Sequence, residues 1–205
     1  MVLDQDMSGS TMGTSVIQKV NSKIKFLYRN KVFFGIKERK MLCSALLQSN
    51  FDYACNSWFR GLQKKLRDRL QTAQNKIVRY ILSYHNRQHV GFQDLNRLGW
   101  LNVAKRVDYL ALNNMYNIYN ATAPSYMCKL DFINHGYQTR RSNCSYVLPS
   151  VKTQGSFSFK FCGIQLWNDL PLNIKNCESR VEFKKKCKEF LVHKMKQEED
   201  SDYVM

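Results

Sequence analysis

Six cations, Lys64, Lys65, Arg67, Arg69, Lys76 and Arg79, stand within "KKLRDRLQTAQNKIVRY", and three more, Lys23, Lys25 and Arg29, within "KIKFLYR". Cations along a helix face can reach successive phosphates of a nucleic-acid strand, and amide side chains such as Gln71, Gln74 and Asn75 can add hydrogen bonds. Arg140 and Arg141, in "YQTRRS", extend the set on an expected loop. For any single lysine a solvated helix face is the better account of the charge. Taken together, the set points to RNA, DNA or an RNA–DNA hybrid bound through its phosphates.

Catalytic chemistry finds less support. Two-metal phosphoryl transfer needs carboxylates converging within a few ångströms. The stretch "FDYAC" scrambles the aromatic-x-Asp-Asp signature of a polymerase palm but holds the single Asp52, which is better placed as a cap or as an arginine's partner. Asp94, Asp108, Asp131 and Asp169 are scattered. No GxSxG, GxxxxGK[ST] or GxGxxG occurs. His85 and His89 are four apart without a cysteine or carboxylate at ligand spacing. Seven cysteines at irregular intervals, with no CxxC, read as free buried thiols. The expectation is a protein without catalytic residues, metal or cofactor.

The charge is concentrated where the candidate cations lie. Residues 15–90 hold 16 basic and 3 acidic side chains, against 16 and 11 in residues 91–205, within a chain of 205 residues and net charge +16. So local an excess produces a positive potential suited to a polyanion. No apolar run is long enough for a membrane span, and the N-terminal stretch lacks the pattern of a signal peptide. An intracellular location, cytoplasm or nucleus, is expected.

Nine glycines and three prolines favour helices over a turn-rich β fold. Residues 1–14 read as a flexible lead-in. Val16, Val20, Ile24 and Leu27 then mark a first helix, broken near Gly35. A second is expected from Lys37 to Asn50, with Trp58 as its furthest reach, burying Leu42, Cys43, Ala45 and Leu46. A third, Leu62 to Ser83, carries Leu66, Leu70, Ala73, Ile77 and Ile81 on one face. A short helix, a break at Gly99 and a helix capped by Asn102 follow, with Val103, Val107, Leu110, Ala111, Met115 and Ile118 as its stripe. Between Phe132 and Phe161 the pattern of Tyr137, Thr139, Tyr146, Val147, Val151, Phe157, Phe159 and Phe161 suggests short extended pieces, a hairpin or a long strap. Ser179 and Glu182, at capping-box spacing, open a last helix on Phe183, Cys187, Phe190 and Leu191. The class is therefore mainly α: a helical bundle with an extended or β-hairpin segment near 135–162. Its expected parts are a basic helical domain (15–90), a C-terminal helical domain (91–195) with the strap at 132–162, and an acidic disordered tail (196–205).

As an ordered series, several blocks resemble one family. "KIKFLYRNKVFFGIKERKMLCSALLQSNFDYACNSWF", "QTAQNKIVRYIL", "LNRLGWLNVAKRVDYLALNNMYNIYNATAPSYM", "YQTRRS", "VLPSVKTQGSFSFKFCGIQLWNDLP" and "FKKKCKEFL" are similar to the region following the palm in reverse transcriptases of LINE-type, jockey-like retrotransposons. The opening "MVLDQD" resembles the end of that palm. The resemblance covers about residues 15 to 195. It implies a helical thumb closing over a template–primer duplex, then a helical C-terminal part, within a protein that copies RNA into DNA. It also implies palm and fingers as partners. The paired aspartates of that palm are not in this sequence, so the chain is expected to be a fragment or truncated copy that binds nucleic acid without polymerising. The alternative is a structural remnant with an exposed apolar face.

One further stretch, "GIQLWNDLPLNIKN", sets Trp167 and Pro171 in a polar context before the lysine-rich last helix. Proline ends helical continuation and tryptophan brings a large apolar surface. A packed corner is the first reading; an aromatic platform for an unpaired base is the second. Trp58 and Trp100 read as core.

Overall fold

In the computed structural model the described residues are 4, 8–127, 130, 145–151 and 153–202. They are mainly helical, and none of them forms a strand. The order is α1 (Ser10–Arg29), a 3₁₀ turn (Lys31–Phe33), α2 (Ile36–Cys43), a π turn (Ser44–Gln48), α3 (Ser49–Asp52), α4 (Cys55–Trp58), α5 (Lys64–Leu82), α6 (Phe92–Leu98) and α7 (Val103–Tyr119). After a 3₁₀ turn (Thr153–Phe157) come α8 (Phe159–Asn168), α9 (Leu172–Lys175) and α10 (Arg180–Asp202). The helices group into two compact units. One comprises Met1–Val107 with Lys194–Met205, the other Asp108–His193. The division falls inside α7 rather than at residue 90, because Gln71 and Gln74 of α5 bond the backbone at Leu101 and Val103 and hold that chain to the first unit.

In the first unit α1 packs along α5. Val16, Ile17, Val20, Ile24 and Leu27 of α1 and Leu70, Ala73, Ile77 and Ile81 of α5 are buried, each set recurring at the three- and four-residue spacing of one helix face. Helix α1 begins at Ser10, five residues before the expected start. Asp4 supplies the reason: its Oδ2 accepts hydrogen bonds from the Thr11 N–H (3.1 Å) and from the Ser8 and Ser10 hydroxyls. The Thr11 bonds lead in holding its carboxyl below the ordinary range.

The second expected helix is interrupted. The π turn widens one turn by a residue, so Cys43, Leu47, Phe51 and Cys55 point inward at spacings of four. Ala45 and Leu46, expected in the core, are exposed. Further on, Asn102 caps α7 through Oδ1, accepting from the Lys105 N–H at 2.8 Å. Gly99, at φ 65°, closes α6, with the Trp100 N–H reaching the Leu95 carbonyl at 2.8 Å. The end of α10 also belongs here. Residues 196–202 are helical rather than a disordered tail, because Glu199 Oε1 accepts from the Phe92 N–H (2.9 Å) and Glu198 pairs with Lys105.

In the second unit Trp167 is fully buried, its ring centroid 5.1 Å from Tyr119 and 6.0 Å from Phe183, which stacks on Tyr116 at 4.3 Å. Lys175, itself buried, donates to the last carbonyl of α8, that of Asn168, at 3.1 Å. Part of the expected strap is helical: Phe157 ends a 3₁₀ turn, and Phe159 and Phe161 open α8 under a Ser158 cap. Residues 145–151 form neither helix nor strand, and the Asn168 side chain binds both the N–H and the carbonyl of Tyr146, at 2.9 and 2.8 Å. Residues 135–144 of the expected hairpin lie outside the described residues.

Cys43, Cys55 and Cys187 are buried thiols, and that burial pushes each up to about 12. The thiolate is the nucleophile, so these three are expected to stay unmodified by a disulfide reagent at neutral pH until the chain unfolds. The same shift sets an alkaline limit. Unfolded thiols ionise near pH 9 while the folded ones keep their protons, so stability is complete below pH 9. Above it, stability falls by about 1.4 kcal/mol per thiol per pH unit. Urea melts at successive pH values check the slope.

Candidate nucleic-acid interface

Helix α5 turns its apolar face to α1 and its basic face to solvent. Lys65, Arg69, Thr72, Lys76 and Arg79 recur at spacings of four and three, which makes them one row. Lys65, Arg69 and Lys76 are exposed and Arg79 is half-buried. From Lys65 to Arg79 the row is about 21 Å long, the axial length of about six nucleotides of one strand. Lys64 stands about a third of a turn off this row, and the exposed Asp68 beside it is its one carboxylate neighbour on the helix.

At its C-terminal end the row borders a cleft between α1 and α5. The cleft measures about 520 Å³ and is lined by Asn21, Ile24, Lys25 and Tyr28 of α1, Lys76 and Arg79 of α5, and Asn86 of the following loop. Three of the expected cations, from two helices, thus meet in one concavity whose described lining includes no carboxylate. Two of the heads are held by hydrogen bonds. Lys76 Nζ donates to Asn21 Oδ1 at 3.3 Å, and Arg79 Nε donates to the Gln88 carbonyl at 2.6 Å. Tyr28 is held edge-on by Tyr80, centroids 5.0 Å apart, with Lys31 Nζ 5.9 Å from its ring centre. Burial pushes its phenol above the ordinary value against the pull of Arg79, so the hydroxyl stays neutral.

The remaining expected contacts divide. Arg29 is exposed one helical turn beyond Lys25. Lys23 lies apart from this group, its Nζ donating to the Leu46 carbonyl (3.2 Å) and Asn50 Oδ1 (3.3 Å), where it ties α1 to the π turn. Arg140 and Arg141 lie outside the described residues. The amides Gln71, Gln74 and Asn75 are bonded within the protein. Gln74 is buried, donates to the Leu101 carbonyl (2.9 Å) and accepts from Gln71, which also donates to Asn75. Tyr28, Asn21 and Asn86 were the residues missed. Tyr28 carried a signal in its position, three residues after Lys25 and four after the core residue Ile24; Asn86, in a loop, carried none.

Comparison with protein-family models, with curated proteins and with solved structures gives no match. No family is thereby shown. What the chain can do chemically rests on its own residues.

Asp52 is the partner of an arginine: Arg106 holds it with two parallel bonds, Nε–Oδ1 at 3.0 Å and Nη2–Oδ2 at 2.8 Å. Among the described residues no group of three or more His, Cys, Asp or Glu side chains is placed to hold a metal ion, and no helix is long and apolar enough to cross a membrane. Trp167 is a packed corner, buried by Tyr119 and Phe183 and so closed to an unpaired base. Trp58 is buried with its indole N–H on the Tyr53 carbonyl at 3.0 Å, and Trp100 is half-buried.

Proposed function

We propose that the chain is a non-catalytic nucleic-acid-binding region, the thumb and post-thumb part of a LINE-type RNA-directed DNA polymerase. It binds RNA, DNA or their hybrid through phosphates with little sequence preference, in the cytoplasm or nucleus. The observation that carries the binding reading is the cleft, where Lys25, Lys76 and Arg79 converge and the α5 row continues their charge. The polymerase attribution rests on the ordered sequence blocks alone, and palm and fingers are its implied protein partners.

Binding of this kind releases counterions, so log affinity falls with log salt by about 0.9 per neutralised phosphate on duplex. Lys25 and Lys76 are exposed, and their long stems bear little of the core. Lys25→Gln with Lys76→Gln is expected to leave melting unchanged and to reduce the salt slope by about 1.8. An unchanged slope in the double variant places the phosphates elsewhere.

A specific observation favours a second reading. Phe26, Val32, Phe33, Ile36, Met41 and Leu46 are all exposed, Val32 at 92% and Phe33 at 79%. Exposed large apolar side chains gathered within residues 26–46 suit an interaction face for a protein partner such as a palm. Self-association that grows with salt supports that role; a monomer at all salt concentrations speaks against it.

A further inference from the structure

We propose that the α1–α5 cleft binds one unpaired nucleotide of a single strand, with its phosphate between Lys25, Lys76 and Arg79 and its base against the Tyr28 ring. The inference rests on the nucleic-acid reading above and names which part of the ligand enters this site.

The composition of the lining carries the argument. A duplex backbone lying across a surface needs cations alone, and the outward row of Lys65 and Arg69 offers that. The cleft has more. It is a concavity of about 520 Å³, within the size range of small-ligand sites. One wall is aromatic: Tyr28, which Tyr80 fixes at an interplanar angle of 73° before any ligand arrives. Ile24 adds apolar surface next to it. A base has an apolar face on each side and a hydrogen-bonding rim, and aromatic side chains take it by stacking whatever its identity. The carboxamides of Asn21 and Asn86 bring both donors and acceptors to the rim. Asn21 is oriented through its Oδ1, which accepts from Lys76 at 3.3 Å. One amide thus connects the phosphate-binding cation to the base-binding wall.

Charge, aromatic and amide groups lie within one cleft, so base and phosphate of a single nucleotide can be held at once only when the base is unpaired. The preferred ligand is then a single strand or a duplex end with an overhang.

The test uses the full chain, a short blunt RNA–DNA hybrid and the same hybrid carrying a single-stranded overhang, at low salt. The overhang form is expected to bind about tenfold tighter, the effect of one stacked base. Tyr28→Leu is expected to abolish that advantage, read as the ratio of the affinities for the two forms. Because Tyr28 also packs on Tyr80, Asn86→Ala on the exposed loop serves as a second variant: it should reduce the advantage severalfold with unaltered melting. Equal affinity of the unsubstituted chain for the two forms overturns the nucleotide site while leaving phosphate binding in place. Equal weakening of both forms by both variants overturns it as well. Binding to neither form removes the nucleotide site and the nucleic-acid reading together.

Discussion

Trp167→Ala should destabilise the unit formed by residues 108–193 by about 3–5 kcal/mol, the range for removing a buried large aromatic. Trp167 has no exposed surface and joins Tyr119 of α7 to Phe183 of α10, which in turn stacks on Tyr116. Removing the indole leaves a void among rigid rings. Nearby, Gly163 brings the α8 backbone so close to Met115 that an added Cβ would stand 3.0 Å from its sulfur, which leaves α8 little freedom to collapse inward. Domains are stable by about 5–15 kcal/mol, so this loss is a large part of the whole. Thermal melting followed by circular dichroism is expected to show the transition shifted far down. Unchanged melting with weakened nucleic-acid binding would instead mean an accessible indole, against the packed corner.

Gly9→Ala should cost about 3 kcal/mol or more. Its φ of 69° is left-handed, which costs an alanine about 1–2 kcal/mol by itself. The added Cβ would also lie 2.4 Å from the Trp58 carbonyl oxygen and 2.9 Å from the Trp58 Cβ. Backbone cannot give way like a flexible side chain, so the start of α1 must move from α4. Gly35→Ala is the control. There the Cβ approaches only the end of the Glu38 side chain, and φ is an ordinary −73°. A shift within about 0.5 kcal/mol is expected. Urea midpoints of the two variants make the comparison. Since α1 supplies Lys25 and Tyr28 to the cleft, Gly9→Ala should weaken binding too.

Helical periodicity was the legible part of the fold. The stripes of α1, α5, α7 and α10 sit where apolar spacing puts them, because burial of one face dictates both. The π turn was not legible: nothing in "SALLQ" distinguishes a widened turn from a regular one, and the choice is made by Leu47 and Phe51 packing inward. Phe159 and Phe161 alternate as a strand would, yet the Ser158 cap and the packing of Ile164 and Trp167 draw them into a helix. For the candidate site, charge and helix phase together located Lys25, Lys76 and Arg79. They could not separate Lys23, whose tie to Leu46 and Asn50 depends on where the π turn falls. Nor could they show Gln71 and Gln74 turned inward, since an amide on a helix is equally suited to water, a ligand or a neighbouring backbone.

The measurement closest to the central claim is a binding titration of the unsubstituted chain against RNA–DNA hybrid, duplex DNA and single-stranded RNA across a series of salt concentrations. Phosphate binding by Lys25, Lys65, Arg69, Lys76 and Arg79 predicts affinity for all three, falling with a log–log slope of about −4.5 on duplex and about −3.5 on single strands. Affinity that stays flat from low to moderate salt, or no binding at low salt, would contradict it and leave the cations as a solvated surface.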